Sequence, residues 1–123
     1  MTKRLLTSFL FFFCILGYAT KWTKIVDTGQ TIYIDLSSIK KNNDYVFYSS
    51  LQNMASMGLN SVVIDNKADC IEESIVEFNV TFYDQTMGRG VPYEEEIDVE
   101  EIVYLKPNTT KYKLMKFACN YQQ

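Results

Sequence analysis

The sequence has no histidine. That absence removes Ser-His-Asp and Cys-His nucleophile systems and most zinc sites. It also removes the ordinary general base near neutral pH. Basic clusters are scarce. Arg89 is the one arginine beyond residue 19, and Lys111, Lys113 and Lys116 form the only cluster of three lysines within six residues. A chain of net charge −3 without a basic patch is a poor ligand for nucleic acid or anionic lipid. Two prolines and five glycines in 123 residues leave no linker or low-complexity segment, and no repeat is present. The EF-hand loop pattern is missing, and Met87-Gly88-Arg89-Gly90 lacks the Gly-Lys-Ser/Thr ending of a phosphate loop. No enzyme, metal site or cofactor is expected from this inventory.

Residues 1–19 read as a secretory signal. Lys3 and Arg4 form a basic start, Leu5 to Leu16 an apolar run of 12 residues broken by Thr7 and Ser8, and Gly17 and Ala19 a small-residue cut site before Thr20. A spanning helix needs about 20 apolar residues, so no membrane span is expected once the signal is removed. Cys14 follows Phe11-Phe12-Phe13 and not the small residues of a lipidation site, and it reads as an apolar passenger. Residues 20–123 then form one domain. Lys3 and Arg4 leave with the signal and no acid does, so the net charge becomes −5. Cys70 and Cys119 remain. An even pair in a small exported domain predicts a disulfide, which the chain-entropy model values at about 4 kcal/mol.

Along that domain the apolar pattern has period two. Lys21 to Val26, Thr31 to Asp35, Tyr45 to Met54, the start of Ser61 to Cys70, Ser74 to Tyr83 and Tyr93 to Leu105 read as strands. Val76, Phe78, Val80 and Phe82 share one parity and are expected in the core, with Glu77, Asn79, Thr81 and Tyr83 outside. Ile97, Val99, Val103 and Leu105 are expected to face in. Leu36 to Ile39 reads as one helical turn capped by Asp35, Lys40 to Asp44 as a polar turn, and Asp84 to Pro92 as a loop. After Pro107, Asn108 or Thr109 can cap a last helix, where Leu114, Phe117, Ala118 and Tyr121 recur at helical spacing. The fold class is therefore α+β: a small antiparallel sheet of about five to six strands with one C-terminal helix packed on it.

Candidate binding residues are charged. Glu94, Glu96, Asp98 and Glu100 alternate on one strand face, which sets their carboxylates in a row instead of converging them on a metal. Such a row can steer a basic partner. Arg89 can pair with a carboxylate or contact a partner. Tyr33, Tyr48 and Tyr83 fit either an interface or sheet packing.

Taken in order, the landmarks resemble the bacterial surface-adhesin protein E-like family. They are Trp22, Tyr33-Ile34-Asp35, Ser38-Ile39 with a polar turn, Ser61, Asp69-Cys70, Phe82-Tyr83, Met87-Gly88, Gly90, Pro107-Asn108-Thr109 and a helix ending in Cys119. They span nearly all of 22–119. The resemblance implies an antiparallel sheet with a C-terminal helix, a disulfide, a Gram-negative envelope location and adhesion to host matrix or serum proteins. Two departures are visible: the signal lacks a lipidation motif, which favours the periplasm over anchoring in the outer membrane, and Ile102-Val103-Tyr104 stands where a tryptophan is expected. The resulting expectation is an exported, non-enzymatic, adhesin-like binding domain, periplasmic, at the cell surface or secreted. Its partner would be a host matrix or serum protein. The alternative is a structural or accessory protein of the envelope, paired with an envelope component or with itself as a homodimer.

Overall fold

Period-two alternation places one side of each strand against a core. In the computed structural model, which describes residues 22–27, 31–56, 58–95 and 101–122, these segments form one antiparallel sheet. The elements are β1 (Trp22–Asp27), β2 (Thr31–Asp35), β3 (Lys40–Asn42), β4 (Tyr45–Ser56), β5 (Leu59–Asp69), β6 (Ser74–Tyr83), β7 (Pro92–Glu95), β8 (Val103–Tyr104) and helix α1 (Thr110–Asn120). The sheet runs β1-β2-β4-β5-β6-β7, with β3 on β4 and β8 on β6.

The α+β reading with one C-terminal helix holds, but the sheet has eight strands and not five to six. Two segments account for the difference. Lys40–Asn42, expected as a polar turn, pairs with Tyr45–Phe47. Backbone hydrogen bonds make that pairing, so its three exposed side chains give no apolar signal. The stretch Tyr93 to Leu105, expected as one strand, contributes two: β7 pairs with the end of β6 at Val80–Tyr83, and β8 with its start at Ser74 and Ile75. Val103, expected inside, is exposed, whereas Leu105 packs against the core. Ile97 and Val99 lie outside the described residues.

The core lies on one side of the sheet. Ile32 and Ile34 of β2, Val46 and Tyr48 of β4, Ala68 of β5 and Ile75 of β6 meet Leu114, Met115 and Ala118 of α1. Ile34, Val46, Ala68, Met115 and Ala118 are fully buried, and each large apolar side chain so placed contributes about 1.5–3 kcal/mol. Burial, and secondarily the charge of Glu77, pushes the Tyr48 hydroxyl well above its ordinary pKa, so the ring stays neutral in the core. Asn66, also buried, gives its amide to Ser50 Oγ at 3.1 Å and the Ile64 carbonyl at 3.0 Å, as a buried polar group requires.

The expected face of β6 is corrected by a bulge. Asp65 pairs with Asn79, but Asn66 pairs with Glu77, so Phe78 is an extra residue in β6. A one-residue insertion exchanges the two faces below it. Val80 and Phe82 therefore stand opposite Ile64 and Val62 on the helix side, as expected for that parity. Ile75 and Glu77 take that side in the lower half, and Glu77 pairs with Lys111 of α1 at 3.0 Å. Val76 and Phe78 turn to the side away from α1, where Phe78 meets Phe47 edge-on with centroids 6.4 Å apart.

Local caps follow the sequence. Asp35 accepts from the Ser37 N–H at 3.0 Å at the 3-10 turn Leu36–Ser38. Thr109 caps α1 by accepting from the Tyr112 N–H. Cys70, in the turn after β5, is bonded to Cys119 in the last turn of α1, 49 residues on. The neighbouring Glu73 receives the Tyr112 hydroxyl at 2.7 Å and pairs with Lys116 at 3.4 Å. One short turn is thus tied to the helix covalently and ionically.

Candidate functional site

Among the described residues the opposite side of the sheet carries no α-helix, and the loop of residues 84–91 between β6 and β7 folds back onto it. Three polar side chains of β4 and β5 hold this loop. Ser61, fully buried, donates to the Gln85 carbonyl at 2.6 Å and accepts from the Gly88 N–H at 3.0 Å. Asn53 accepts from the Met87 N–H at 2.8 Å, and Asn60 donates to the Asp84 carbonyl at 2.7 Å. Within the loop, Asp84 accepts from the Val91 N–H at 2.9 Å. Polar residues of β4 and β5 are therefore the loop's fastenings.

The loop covers Leu51, which is 1% exposed despite facing away from α1. Contact this close restricts the residue above it. Gly88 has φ +67°, and a Cβ there would lie 3.2 Å from Leu51 Cδ1 and 3.8 Å from Trp22 Nε1. Gly90, at φ +92°, has no room for a Cβ beside the Asp84 carboxylate. Met87 is also left-handed, at φ +62°, a strained state for a residue with a side chain, and its bond to Asn53 holds it there.

Beside the loop opens a hollow of about 490 Å³, lined by Trp22, Asp35, Ser49, Val63, Tyr83, Met87, Gly88 and Arg89. Trp22 and Asp35 are register partners on β1 and β2, Ser49 and Val63 form the floor, and the loop forms the far wall. Its charged groups are of both signs. A second hollow, about 460 Å³, lies at the other end of the same side among Tyr45, Phe47, Lys67, Val76, Phe78 and Ile102. Its lining is mostly apolar, and its cation is already engaged: Lys67 Nζ sits 4.5 Å from the centroid of the Tyr45 ring.

The sequence-expected site residues distribute unevenly. Cys70 and Cys119 form the expected bond. Arg89 is exposed on the rim of the first hollow and has no ion pair with a described residue. Glu94 is exposed on β7 opposite Thr81, while Glu96, Asp98 and Glu100 lie outside the described residues, so only one member of the acidic row is placed. Among the described residues no cluster of three or more His, Cys, Asp or Glu is positioned for a metal. No described helix is long and apolar enough to cross a membrane. Of the three tyrosines, Tyr48 is core, Tyr83 lines the first hollow and Tyr33 faces away from α1. Trp22, Asp35, Tyr83, Met87 and Gly88 were legible as family landmarks but not as neighbours; their shared hollow is what the structure adds.

Among the described residues, then, one face of the sheet is covered by a helix and a loop is fastened across the other. Residues 22–120 match the model of the surface-adhesin protein E family, and the chain belongs to that family. No curated protein matches the sequence. Among solved structures, protein E from non-typeable Haemophilus influenzae superposes with a TM-score of 0.63 at 20% identity, covering 80% of this chain and 74% of that one. Crystal form II of Haemophilus influenzae protein E gives 0.68 at 21% identity, covering 80% and 86%. The selenomethionine form gives 0.65 at 21%, covering 82% and 94%. At that identity the likeness concerns the fold.

Proposed function

We propose that this chain is exported and acts as a non-enzymatic, adhesin-like binding domain for a protein of the host matrix or serum. The observation that carries the reading is the family match over residues 22–120, nearly the whole domain outside the signal. The sheet face away from α1 and its fastened loop are consistent with recognition by a preformed surface, which limits the ordering cost of binding. Export follows from the signal pattern of residues 1–19, with cleavage before Thr20. The acidic row from Glu94 to Glu100 then steers basic segments of the partner, an effect on association rate that weakens with salt.

The test is a capture experiment with natively exported, disulfide-intact protein, offered host serum and matrix proteins in one arm and envelope extract of the producing cell in the other. Saturable capture of a matrix or serum protein is the expected result. Capture only from the envelope extract would replace the proposal with the accessory-protein reading. Intact mass of the same preparation should begin at Thr20 and carry no lipid; a diacylglyceryl group on Cys14 would overturn the periplasmic placement.

A further inference from the structure

The first hollow holds two charges of opposite sign that do not pair with each other. Asp35 is 9% exposed, and its Oδ1 accepts from both the Ser37 N–H, at 3.0 Å, and the Ser37 hydroxyl, at 2.6 Å. Neither donor is a cation, and the carboxylate has no ion pair with a described residue. A carboxylate so nearly out of water ordinarily has a cationic partner. Arg89, on the loop across the same hollow, is a cation with no anion among the described residues. Both charges line one cavity of about 490 Å³ without pairing with each other, and Trp22 and Tyr83 add aromatic surface. That volume falls within the range of small-molecule sites, about 300–1,000 Å³.

The geometry points to a site for a small zwitterion, an amino acid or short peptide, whose ammonium group meets Asp35 and whose carboxylate meets Arg89. The chemistry selects both ends. A guanidinium offers a carboxylate two parallel N–H donors, a fit that an ammonium point charge lacks. No hydrogen bond to a described residue occupies Asp35 Oδ2, which leaves it as an acceptor for an N–H donor entering the hollow. An uncharged ligand would leave both charges unmatched, and a simple anion would satisfy only one. The loop is already fixed by Ser61, Asn53 and Asn60, so Arg89 springs from a preformed wall. This site is separate from the proposed protein partner, and capture of a host protein neither requires it nor excludes it.

Trp22 is the only tryptophan in the chain and lines the hollow, so its emission is a direct reporter. The experiment titrates the full domain, disulfide intact, with trialanine, N-acetyl-trialanine and trialanine amide. Free trialanine should shift Trp22 emission saturably. Blocking either end should weaken binding by about tenfold or more, the loss expected for a charge-assisted hydrogen bond. Asp35→Asn keeps an oxygen for Ser37 but removes the charge, and should erase the penalty of N-acetylation alone. Arg89→Gln, at an exposed position, should erase the penalty of amidation alone, and it keeps the test decisive if the Asp35 variant fails to fold. The inference is overturned if trialanine gives no saturable change, if the three peptides bind alike, or if Arg89→Gln leaves the amidation penalty intact.

Discussion

The two turns that flank β6 are anchored by opposite means. The turn before it, residues 70–73, is tied to α1 by the Cys70–Cys119 bond and by Glu73, which takes the Tyr112 hydroxyl and the Lys116 ammonium. The loop after it, residues 84–91, is tied to the sheet face away from α1 by neutral hydrogen bonds from Asn53, Asn60 and Ser61 and by glycines in the left-handed region. The first anchorage closes a long loop of chain and so acts on the unfolded state and on global stability. The second fixes a local wall and acts on the shape of the first hollow. The covalent tie and the wall of the first hollow are thus placed at opposite ends of one strand.

The sharpest way to break the first anchorage is Cys119→Ser. It should lower unfolding free energy by about 2–5 kcal/mol in denaturant titration. The hollow should keep its shape in whatever fraction remains folded, read as unchanged Trp22 emission. An equal loss of both would show that the two turns are one cooperative unit.

The bulge at Phe78 supplies the next comparison, between two neighbouring apolar residues. Ile75 is 2% exposed in the helix-side core, and Ile75→Ala should cost about 2–5 kcal/mol through lost transfer energy and a cavity. Phe78 stands half-buried on the side away from α1 against Phe47, and Phe78→Ala should cost only about 1–2 kcal/mol by its partial burial. Thermal or denaturant unfolding of the pair decides the matter. A larger loss at Phe78 would return β6 to uninterrupted alternation.

That bulge also marks where the sequence stops being legible. Val76, Phe78, Val80 and Phe82 alternate without a break, and no glycine or proline signals the extra residue; the insertion is specified by pairing across to Asp65 and Asn66, which are distant in sequence. Local devices were readable because their causes are local: Asp35 and Thr109 as caps, the helical spacing of Leu114 and Ala118, the paired cysteines. β3 was not, because backbone pairing alone makes it. In the site, Arg89 and the glycines of its loop stood out by composition. Trp22, Asp35 and Tyr83 did not stand out as site residues, since they come from three strands and only the sheet order brings them to one hollow.

For the second anchorage, Ser61→Ala removes the hydroxyl that serves both the Gln85 carbonyl and the Gly88 N–H. Leaving those groups unmatched should cost about 1–3 kcal/mol. Gly90→Ala, which needs a left-handed residue where the Asp84 carboxylate leaves no room, should cost a similar amount. Both changes should alter Trp22 emission in the folded protein and leave the disulfide formed on non-reducing peptide mapping. If stability falls while Trp22 emission is unmoved, the loop does not shape the hollow.

The smallest effect concerns pH and separates the ionic part of the first anchorage from its covalent part. The hydroxyl of Tyr112, and with it Lys116, holds the Glu73 carboxyl below its ordinary pKa of 4.5. A carboxylate whose pKa is lower in the folded state than in the unfolded one binds fewer protons when folded. Its stabilising contribution is therefore complete above the ordinary carboxylate range and is lost as pH falls through the lowered value. The same hydrogen bond raises Tyr112 above its ordinary 10.0, so its contribution is complete below that value and is lost as pH rises through the raised one. One contact thus weakens at both extremes, in acid because Glu73 gains a proton and in alkali because Tyr112 loses one. Both groups are only half-buried, so the effect should be slight and should shrink with salt. Glu73→Gln should flatten the stability profile at both ends relative to the parent protein, while the Cys70–Cys119 bond, which does not titrate, holds the turn in place throughout. A profile that keeps its acid and alkaline shoulders in the variant would place the titrating groups elsewhere and leave the disulfide as the tie that matters between this turn and α1.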